Sequence, residues 1–181
     1  MPTMTSLYSA DAIQERVEKI AKDINKDFKG EELVHIVITL NGAFMFAADL
    51  VRLLDIPQQI SFASASSYTG TQQGESLTLN VDSLPRSFGN KPVILIEDIM
   101  DTGNTVGALR QVLADRMAST IKIAALLKRQ GGAGSADYFG FTVPRSLFVI
   151  GYGMDMDSRY RELRDIQVLD GATMSGGSGL C

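Results

Sequence analysis

The stretch "PVILIEDIMDTGNT", residues 92–105, leads from a strand into a helix and carries three acids at the junction. Residues 92–98 are mostly apolar and include several β-branched side chains, which is typical of a strand buried on both faces of a sheet. The acids are Glu97, Asp98 and Asp101, and a Thr-Gly-Asn-Thr turn follows them. Amides at a helix N-terminus attract anions, whereas carboxylates repel them. The stretch therefore predicts a ligand that carries both hydroxyls and phosphates, with a metal ion between them.

Elsewhere the sequence alternates apolar strands with amphipathic helices. Strands are predicted at residues 33–40, 58–66, 76–81, 92–98, 121–127, 138–143 and 146–153, and helices at 9–30, 43–54 and 104–117. This order is typical of an α/β fold in which helices flank a twisted, mainly parallel sheet. Ligands of such sheets bind at the carboxyl ends of the strands, which is where the three acids lie.

Length and composition restrict the class of protein. The 181 residues suit a single domain, predicted at 1–173, and residues 174–181 form a Gly/Ser-rich tail that we expect to be mobile. A net charge of -4 argues against nucleic-acid binding, because that binding depends on neutralising phosphates. There is no apolar run of membrane-spanning length and no signal-peptide pattern, and the single cysteine is Cys181. These features predict a cytoplasmic protein without membrane contact.

The acids and the turn suit different parts of a ligand. Ionised carboxylates only accept hydrogen bonds, so the adjacent Glu97 and Asp98 suit a vicinal diol such as that of a ribose. The turn that starts at Asp101 suits a phosphate, because Gly103 lets the backbone approach closely and the threonines add hydroxyl donors. An alternative is that Asp101 or Thr102 simply caps the helix while the two earlier acids are solvated at the strand end. Neither a P-loop nor a dinucleotide-binding glycine pattern is present.

Five segments of the chain, in order, resemble motifs of the type I phosphoribosyltransferases that act on hypoxanthine and guanine. They are "LNGAFMFAADL" (40–50), "SSYTGTQQGE" (66–75), "VILIEDIMDTGNTVGAL" (93–109), "ADYFGFTVP" (136–144) and "LFVIGYGMDMDSRYREL" (147–163). The resemblance covers residues 8–168. It implies the type I phosphoribosyltransferase fold, with a core at about 31–145 and a small hood formed by residues 1–30 and 146–170.

The resemblance also implies a reaction, in which a purine displaces pyrophosphate from phosphoribosyl pyrophosphate in the presence of Mg²⁺. It implies that Glu97 and Asp98 bind the ribose hydroxyls and the magnesium, and that Asp101 is the general base. The implied 5-phosphate site consists of Asp101, Thr102, Gly103, Asn104 and Thr105, and the implied pyrophosphate site of Leu40, Asn41, Gly42 and Arg161. A cis peptide bond is implied between Leu40 and Asn41.

The purine site and a closing loop follow from the same resemblance. The implied purine contacts are Ile99, Phe148, Val149 and Asp155, and Asp155 would also hold a second magnesium. Ser67 and Tyr68 are expected on a mobile loop, residues 67–76, that closes over the substrates. His35, the only histidine, is predicted near the far end of the sheet without a catalytic role.

One position departs from the family pattern. The family has a lysine, which binds the 6-oxo group of the purine, two residues before an acid-aromatic pair. Here that pair is Asp137 and Tyr138, so the position is Ser135. A hydroxyl is a weaker hydrogen-bond donor than an ammonium group. Lys128 or Arg129 is a candidate to reach the purine in its place.

Three functions stay open at this point. The first is purine salvage, which converts hypoxanthine or guanine to IMP or GMP. The second keeps the chemistry but changes the base to xanthine or another 6-substituted purine, because of Ser135. The third is a nucleotide-sensing regulator that binds nucleic acid, which the acidic charge disfavours. By analogy with the family we expect a homodimer or a homotetramer.

Overall fold

Nine strands and three helices form the described part of this computed structural model, residues 4–69 and 75–173, with the backbone alone described at 67–69, 75–76 and 170–173. The strands are β1 (Met4–Tyr8), β2 (Val34–Leu40), β3 (Gln58–Thr69), β4 (Glu75–Asn80), β5 (Val93–Met100), β6 (Ile121–Arg129), β7 (Tyr138–Val143), β8 (Leu147–Ile150) and β9 (Ile166–Thr173). The helices are α1 (Ala10–Asp27), α2 (Phe44–Val51) and α3 (Asn104–Asp115). Within the described ranges, no helix is long and apolar enough to cross a membrane.

Six of the strands form the main sheet, in the order β4-β3-β2-β5-β6-β7. Every neighbouring pair is parallel except β3 and β4, which are antiparallel. The predicted α/β fold with a mainly parallel sheet is thus confirmed. Strand β5 lies near the middle, so its carboxyl end is flanked by the ends of β2 and β6.

Successive side chains of the central strands point to opposite faces and fill two separate cores. In β5, Ile94 and Ile96 pack in the core that α1 and α2 cover. Leu95 points the other way and packs with Leu109 and Leu113 of α3. Each of these side chains is fully buried, which stabilises the fold by about 1.5–3 kcal/mol per residue. The continuous apolar run of β5 is therefore what a sheet covered on both faces requires.

Helix α1 covers one face of the main sheet and has defined ends. The Ser9 hydroxyl accepts a hydrogen bond from the Ala12 amide and caps the first turn. The buried side chains recur at helical spacing and are Ile13, Val17, Ile20, Ala21 and Ile24. The chain leaves the helix before Gly30, whose φ of 88° is readily adopted only by glycine. The predicted helix at 9–30 is confirmed, with its end three residues earlier.

A second, antiparallel sheet is formed by the chain ends, in the order β1-β9-β8. The strand predicted at residues 146–153 is β8, which lies in this second sheet and is shorter than predicted. It pairs with β9 and ends at Ile150 because Gly151, Tyr152 and Gly153 have φ values of 93°, 49° and 100°. Left-handed backbone at three consecutive residues cannot continue a strand. Strands β1 and β9 were not predicted.

The segment at residues 67–76, predicted to be an irregular mobile loop, is strand at both of its ends. Strand β3 continues to Thr69, and β4 begins at Glu75 rather than Ser76. The backbones of Ser67 and Tyr68 pair with β4 in an antiparallel ladder, which satisfies peptide groups that a loop would leave to solvent. Residues 70–74, like the tail at 174–181, lie outside the described residues.

Strand β5 extends two residues beyond its predicted end at 98. Its pairing with β6 continues through Ile99 with Leu127 and Met100 with Lys128. Glu97 and Asp98 therefore lie within a paired strand and not at a solvated strand end, as the alternative interpretation required. This extension places both carboxylates inside the protein.

His35 lies at the end of the main sheet opposite to Glu97 and Asp98, as predicted. It is the second residue of β2, its amide donates to the Pro92 carbonyl, and its ring meets Phe88 edge-on at 5.0 Å between centroids. The side chain is buried, and burial lowers the pKa of the imidazole.

We expect His35 to make the free energy of unfolding pH-dependent. Its pKa is lower in the folded than in the unfolded protein, so the unfolded state binds the proton first. Stability should fall as the pH drops below about 6.5, by no more than about 1.4 kcal/mol per pH unit. Urea unfolding at several pH values would measure this. The variant His35→Gln should lose that part of the dependence, and identical profiles for the two proteins would contradict the prediction.

Candidate active site

Two adjacent carboxylates, Glu97 and Asp98, are buried near the carboxyl end of β5. Their relative exposures are 3% and 4%, and their carboxyl groups lie close enough together to interact directly. Asp98 Oδ1 accepts a hydrogen bond of 2.7 Å from the Ile99 amide. Glu97 Oε2 is buried and has no hydrogen-bond partner among the residues that the structure describes. A buried acceptor without a partner is unfavourable, so the site has capacity for a donor or a cation.

Burial also changes the electrostatics of the pair. It raises the pKa of Glu97 well above its ordinary value, and the neighbouring Asp98 carboxyl adds to the rise. Burial raises the pKa of Asp98 as well, although hydrogen bonds and the charge of Arg161 offset part of this effect. Two buried carboxyls so close together resist ionising at the same time. A bound cation, or a ligand that donates hydrogen bonds, would favour the doubly ionised state.

The loop after β2, predicted to bind pyrophosphate, lies directly against Asp98. The peptide bond between Leu40 and Asn41 is cis, as the resemblance implied. A Cβ placed on Gly42 would lie 1.7 Å from Asp98 Oδ2, so no other residue fits there without displacing the carboxylate. Gly153 is equally close on the other side, since its own Cβ would lie 2.2 Å from the Gly42 carbonyl oxygen. Two close backbone approaches thus fix this loop.

Arg161 and Asp155, both predicted site residues, bind each other. Their Nη2 and Oδ1 atoms are 2.8 Å apart, and Arg161 also donates to the Gly153 carbonyl at 2.6 Å. The other Asp155 oxygen accepts from the Ser158 amide at 2.7 Å. The arrangement brings Arg161 next to the loop at Gly42. It also engages both oxygens of Asp155, so a metal ion at Asp155 would share an oxygen with one of these partners.

The turn between β5 and α3 is built by its backbone. Gly103 occupies the N-cap position with φ 81° and provides no side chain to cap the helix. The Thr102 hydroxyl accepts only a long hydrogen bond, 3.4 Å, from the Asn104 amide. Capping by Asp101 or Thr102, the alternative interpretation of this turn, is therefore not what holds it. The positive end of the α3 dipole faces the turn, as an anion site requires.

A glycine-rich crossover from β6 to β7 packs behind this turn, and the sequence analysis did not foresee it. The Gly134 amide donates to the Asp101 carbonyl at 3.0 Å, and a Cβ on Gly134 would lie 2.4 Å from Met100 Sδ. A Cβ on Gly132 would lie 2.7 Å from the same Asp101 carbonyl oxygen. The signal was present in "GGAGS" (131–135), since glycine often marks a close backbone approach.

Ser135 is exposed and lies between two anchored points of the crossover. Before it, the Gly134 amide donates to the Asp101 carbonyl at the ligand edge. After it, Asp137 binds the Lys122 ammonium and the Ile123 amide at the amino-terminal end of β6. The purine contact of Ser135 stays a prediction.

Of the other predicted purine residues, Asp155 follows β8 and three lie on β5 and β8 themselves. Ile99 and Phe148 are half-buried apolar side chains, and Val149 is buried. Lys128 and Arg129, the candidates to replace the lysine of the family, both place their charged groups on other partners. The Lys128 ammonium lies 5.4 Å from the centroid of the Phe139 ring, and the Arg129 guanidinium donates to the carbonyls of the turn before β8.

Asp101 forms an ion pair with a residue that was not predicted from the sequence. Arg145, in the turn between β7 and β8, places Nη2 2.8 Å from Asp101 Oδ1. The two residues are 44 positions apart, and an arginine in "VPRSL" (143–147) has no feature that would single it out.

Replacing Gly42 by alanine is expected to move the Asp98 carboxylate and weaken binding of phosphoribosyl pyrophosphate by about 10²-fold, because a small misplacement in such a site has a large effect. Titration calorimetry with Mg²⁺ present would measure this, with thermal unfolding to verify the fold. Gly107→Ala is the matched control, since its Cβ meets nothing within 4 Å and an alanine suits a helix. Equal affinities for Gly42→Ala and the control would refute the expectation.

Comparisons with known sequences agree with this geometry. A family model described as a phosphoribosyl transferase domain matches residues 3–159. Hypoxanthine-guanine phosphoribosyltransferase of Mycobacterium tuberculosis is 31% identical over 173 residues, which cover 91% of this chain and 85% of that protein. The enzyme of the same name from Streptococcus pneumoniae is 35% identical over 166 residues, with 90% and 91% covered.

Solved structures show the same relationship. A crystal structure of a hypoxanthine phosphoribosyltransferase from Staphylococcus aureus has a TM-score of 0.82 at 32% identity and covers 91% of this chain and 90% of its own. The hypoxanthine phosphoribosyltransferase of Trypanosoma cruzi has a TM-score of 0.79 at 35% identity, with 91% and 95% covered. The chain therefore belongs to the phosphoribosyltransferase family, and within it to the hypoxanthine-guanine phosphoribosyltransferases.

Proposed function

We propose that this chain transfers the 5-phosphoribosyl group of phosphoribosyl pyrophosphate to hypoxanthine or guanine, giving IMP or GMP and pyrophosphate. The observation that supports this best is the buried pair of Glu97 and Asp98. It lies between the loop at Gly42 and the turn at Gly103, so one ligand can meet a diol site, a pyrophosphate site and a phosphate site together. In this arrangement the two carboxylates accept from the ribose hydroxyls, and the backbone of residues 101–105 holds the 5-phosphate.

Arg161 is the cation that we assign to the pyrophosphate. Asn41, in the loop after β2, provides no positive charge, and Arg161 is held beside that loop by its bond to the Gly153 carbonyl. Its second bond, to Asp155, keeps the guanidinium oriented. A charge-assisted contact from Arg161 favours pyrophosphate as a leaving group, because negative charge develops there as the bond to the anomeric carbon breaks.

Magnesium is the cofactor that we propose for the carboxylate pair. Glu97 and Asp98 offer the hard oxygen ligands that Mg²⁺ prefers, and the unpartnered Glu97 Oε2 is an acceptor that such an ion would satisfy. Mg²⁺ commonly takes one or two carboxylates and completes its shell with water and substrate phosphates, so this pair is sufficient for it. When bound, it supplies positive charge to the pyrophosphate. The second magnesium predicted at Asp155 stays a prediction.

Asp101 is the residue that we assign as general base. A purine ring nitrogen attacks the anomeric carbon, the bond to pyrophosphate breaks with its electron pair, and Asp101 accepts the proton that the purine loses. The Asp101 carboxylate is about one-third exposed at the edge of the turn, so a purine that enters beside Ile99 and Phe148 can reach it. The segment where β3 pairs with β4, which includes Ser67 and Tyr68, is proposed to exclude water during this step.

Xanthine and other 6-substituted purines are the alternative substrates, because Ser135 stands where the family has a lysine. Ser135 follows Gly134, whose amide donates to the Asp101 carbonyl, so it comes directly after the backbone that packs on that turn. A nucleic-acid-binding regulator is disfavoured by the net charge of -4. We further propose a cytoplasmic homodimer or homotetramer, by analogy with the family, and light scattering of the purified protein would test the assembly state.

The proposed function predicts pyrophosphate release when the protein is mixed with phosphoribosyl pyrophosphate, Mg²⁺ and hypoxanthine or guanine. Asp101→Ala should lower turnover by about 10²–10⁴-fold, the usual effect of removing a general base. Asp82→Ala, which removes an exposed carboxylate between β4 and β5, is the control and should be unaffected. Chelation of the magnesium should abolish turnover in all three proteins.

Two outcomes would count against these assignments. Absence of pyrophosphate release with hypoxanthine, guanine, xanthine and adenine would refute the transferase activity. Wild-type turnover in Asp101→Ala would refute the role of Asp101 alone, because the other binding residues would still be in place.

A further inference from the structure

The turn between β7 and β8 reaches across the site to the turn between β5 and α3. Its residue Arg145 donates from Nη2 to Asp101 Oδ1 at 2.8 Å. This is the only hydrogen bond to the Asp101 carboxylate from any residue that the structure describes. One oxygen is held, and Oδ2 stays available as an acceptor. A carboxylate held in this way has a defined direction and still has a free oxygen for a substrate.

The turn that carries Arg145 is itself held in place by hydrogen bonds to its backbone. Arg129, a buried residue at the end of β6, donates to the Pro144 carbonyl at 3.0 Å and to the Leu147 carbonyl at 2.6 Å. These two carbonyls flank Arg145 in the chain, so a buried guanidinium clamps the turn on both sides of it. The Leu147 amide also closes the turn onto the Pro144 carbonyl at 3.3 Å. The turn is therefore rigid enough to aim its arginine.

Asp101 has no comparable support of its own. It precedes α3 in a turn whose N-cap is Gly103, and its side chain does not cap the helix. Its carbonyl is fixed by the Gly134 amide, but that bond leaves the side chain free to rotate. Arg145 therefore provides the one described contact that selects a rotamer for the Asp101 carboxylate.

We propose that Arg145 is a positioning residue, which holds the Asp101 carboxylate in the orientation that accepts the proton of the purine. This inference rests on the proposed function, in which Asp101 is the general base. The location of Arg145 supports this role, since its turn leads directly into Phe148 and Val149. One turn thus links the orientation of the Asp101 carboxylate to the strand proposed to bind the purine.

The energetics predict an effect on rate and not on stability. The side chains of Arg145 and Asp101 are 54% and 31% exposed, and ion pairs with this exposure contribute about 0–1 kcal/mol to folding. General-base catalysis depends more steeply on geometry. Replacing Arg145 should therefore leave the thermal unfolding midpoint nearly unchanged and lower turnover.

A double-mutant cycle tests the inference. We expect Arg145→Gln to lower kcat by about 10-fold, with the KM for phosphoribosyl pyrophosphate unchanged, because proton acceptance suffers while donor binding does not. Arg145→Lys, which keeps a cation, should recover part of the loss. In the Asp101→Asn background the same Arg145→Gln change should have no further effect, because its partner no longer acts as a base. Arg86→Gln, an exposed arginine between β4 and β5, is the control.

Each result separates this inference from the function on which it rests. A drop in kcat that persists in the Asp101→Asn background would show that Arg145 contacts a substrate directly, and would overturn the positioning role. Unchanged kinetics in Arg145→Gln, with an active wild type, would overturn the inference alone. A wild type without activity toward any purine would overturn the proposed function, and with it this inference.

Discussion

Two carboxyl groups buried side by side in one strand are the constraint on which the rest of the site depends. Glu97 and Asp98 are kept in the interior by a central strand with apolar cores on both of its faces. Like charges in such a place are unfavourable, so what surrounds them must be small, cationic or able to donate. Gly42 meets the first requirement and Arg161 the second, and the hydroxyls of the proposed ribose ligand would meet the third.

The main sheet was predictable from sequence because its strands are buried on both faces and carry continuous apolar runs. The second sheet was not, since β1 and β9 lack such a continuous apolar run and pair with each other across more than 150 residues of chain. Strand β8 ends because the backbone is left-handed from Gly151 to Gly153. The two glycines indicated this end, but the apolar run before them favoured a longer strand. Strand ends at 69 and 100 were missed because pairing, and not composition, extends them.

For the site, the residues carried by one contiguous motif were found readily, and contacts between distant segments were not. Glu97, Asp98 and the turn at Gly103 follow one another in the chain, so their common location was a local inference. The pair of Asp101 with Arg145 depends on how the turn after β7 folds back, which no local pattern encodes. The purine contact of Ser135 stays a prediction for the same reason, because position in a motif does not fix position relative to a ligand.

The close packing of the crossover glycines has a consequence for how this protein can vary. Gly132 and Gly134 lie some thirty residues beyond the turn that they support, in a segment that looks like an ordinary surface connection. Neither can accept a side chain without pushing on Met100 or on the Asp101 carbonyl. The segment is thus a poor place for insertions or tags. A substitution there should impair ligand binding at the Asp101 turn more than it lowers the stability of the fold. In this enzyme, partial exposure is an unreliable guide to which positions are free to change.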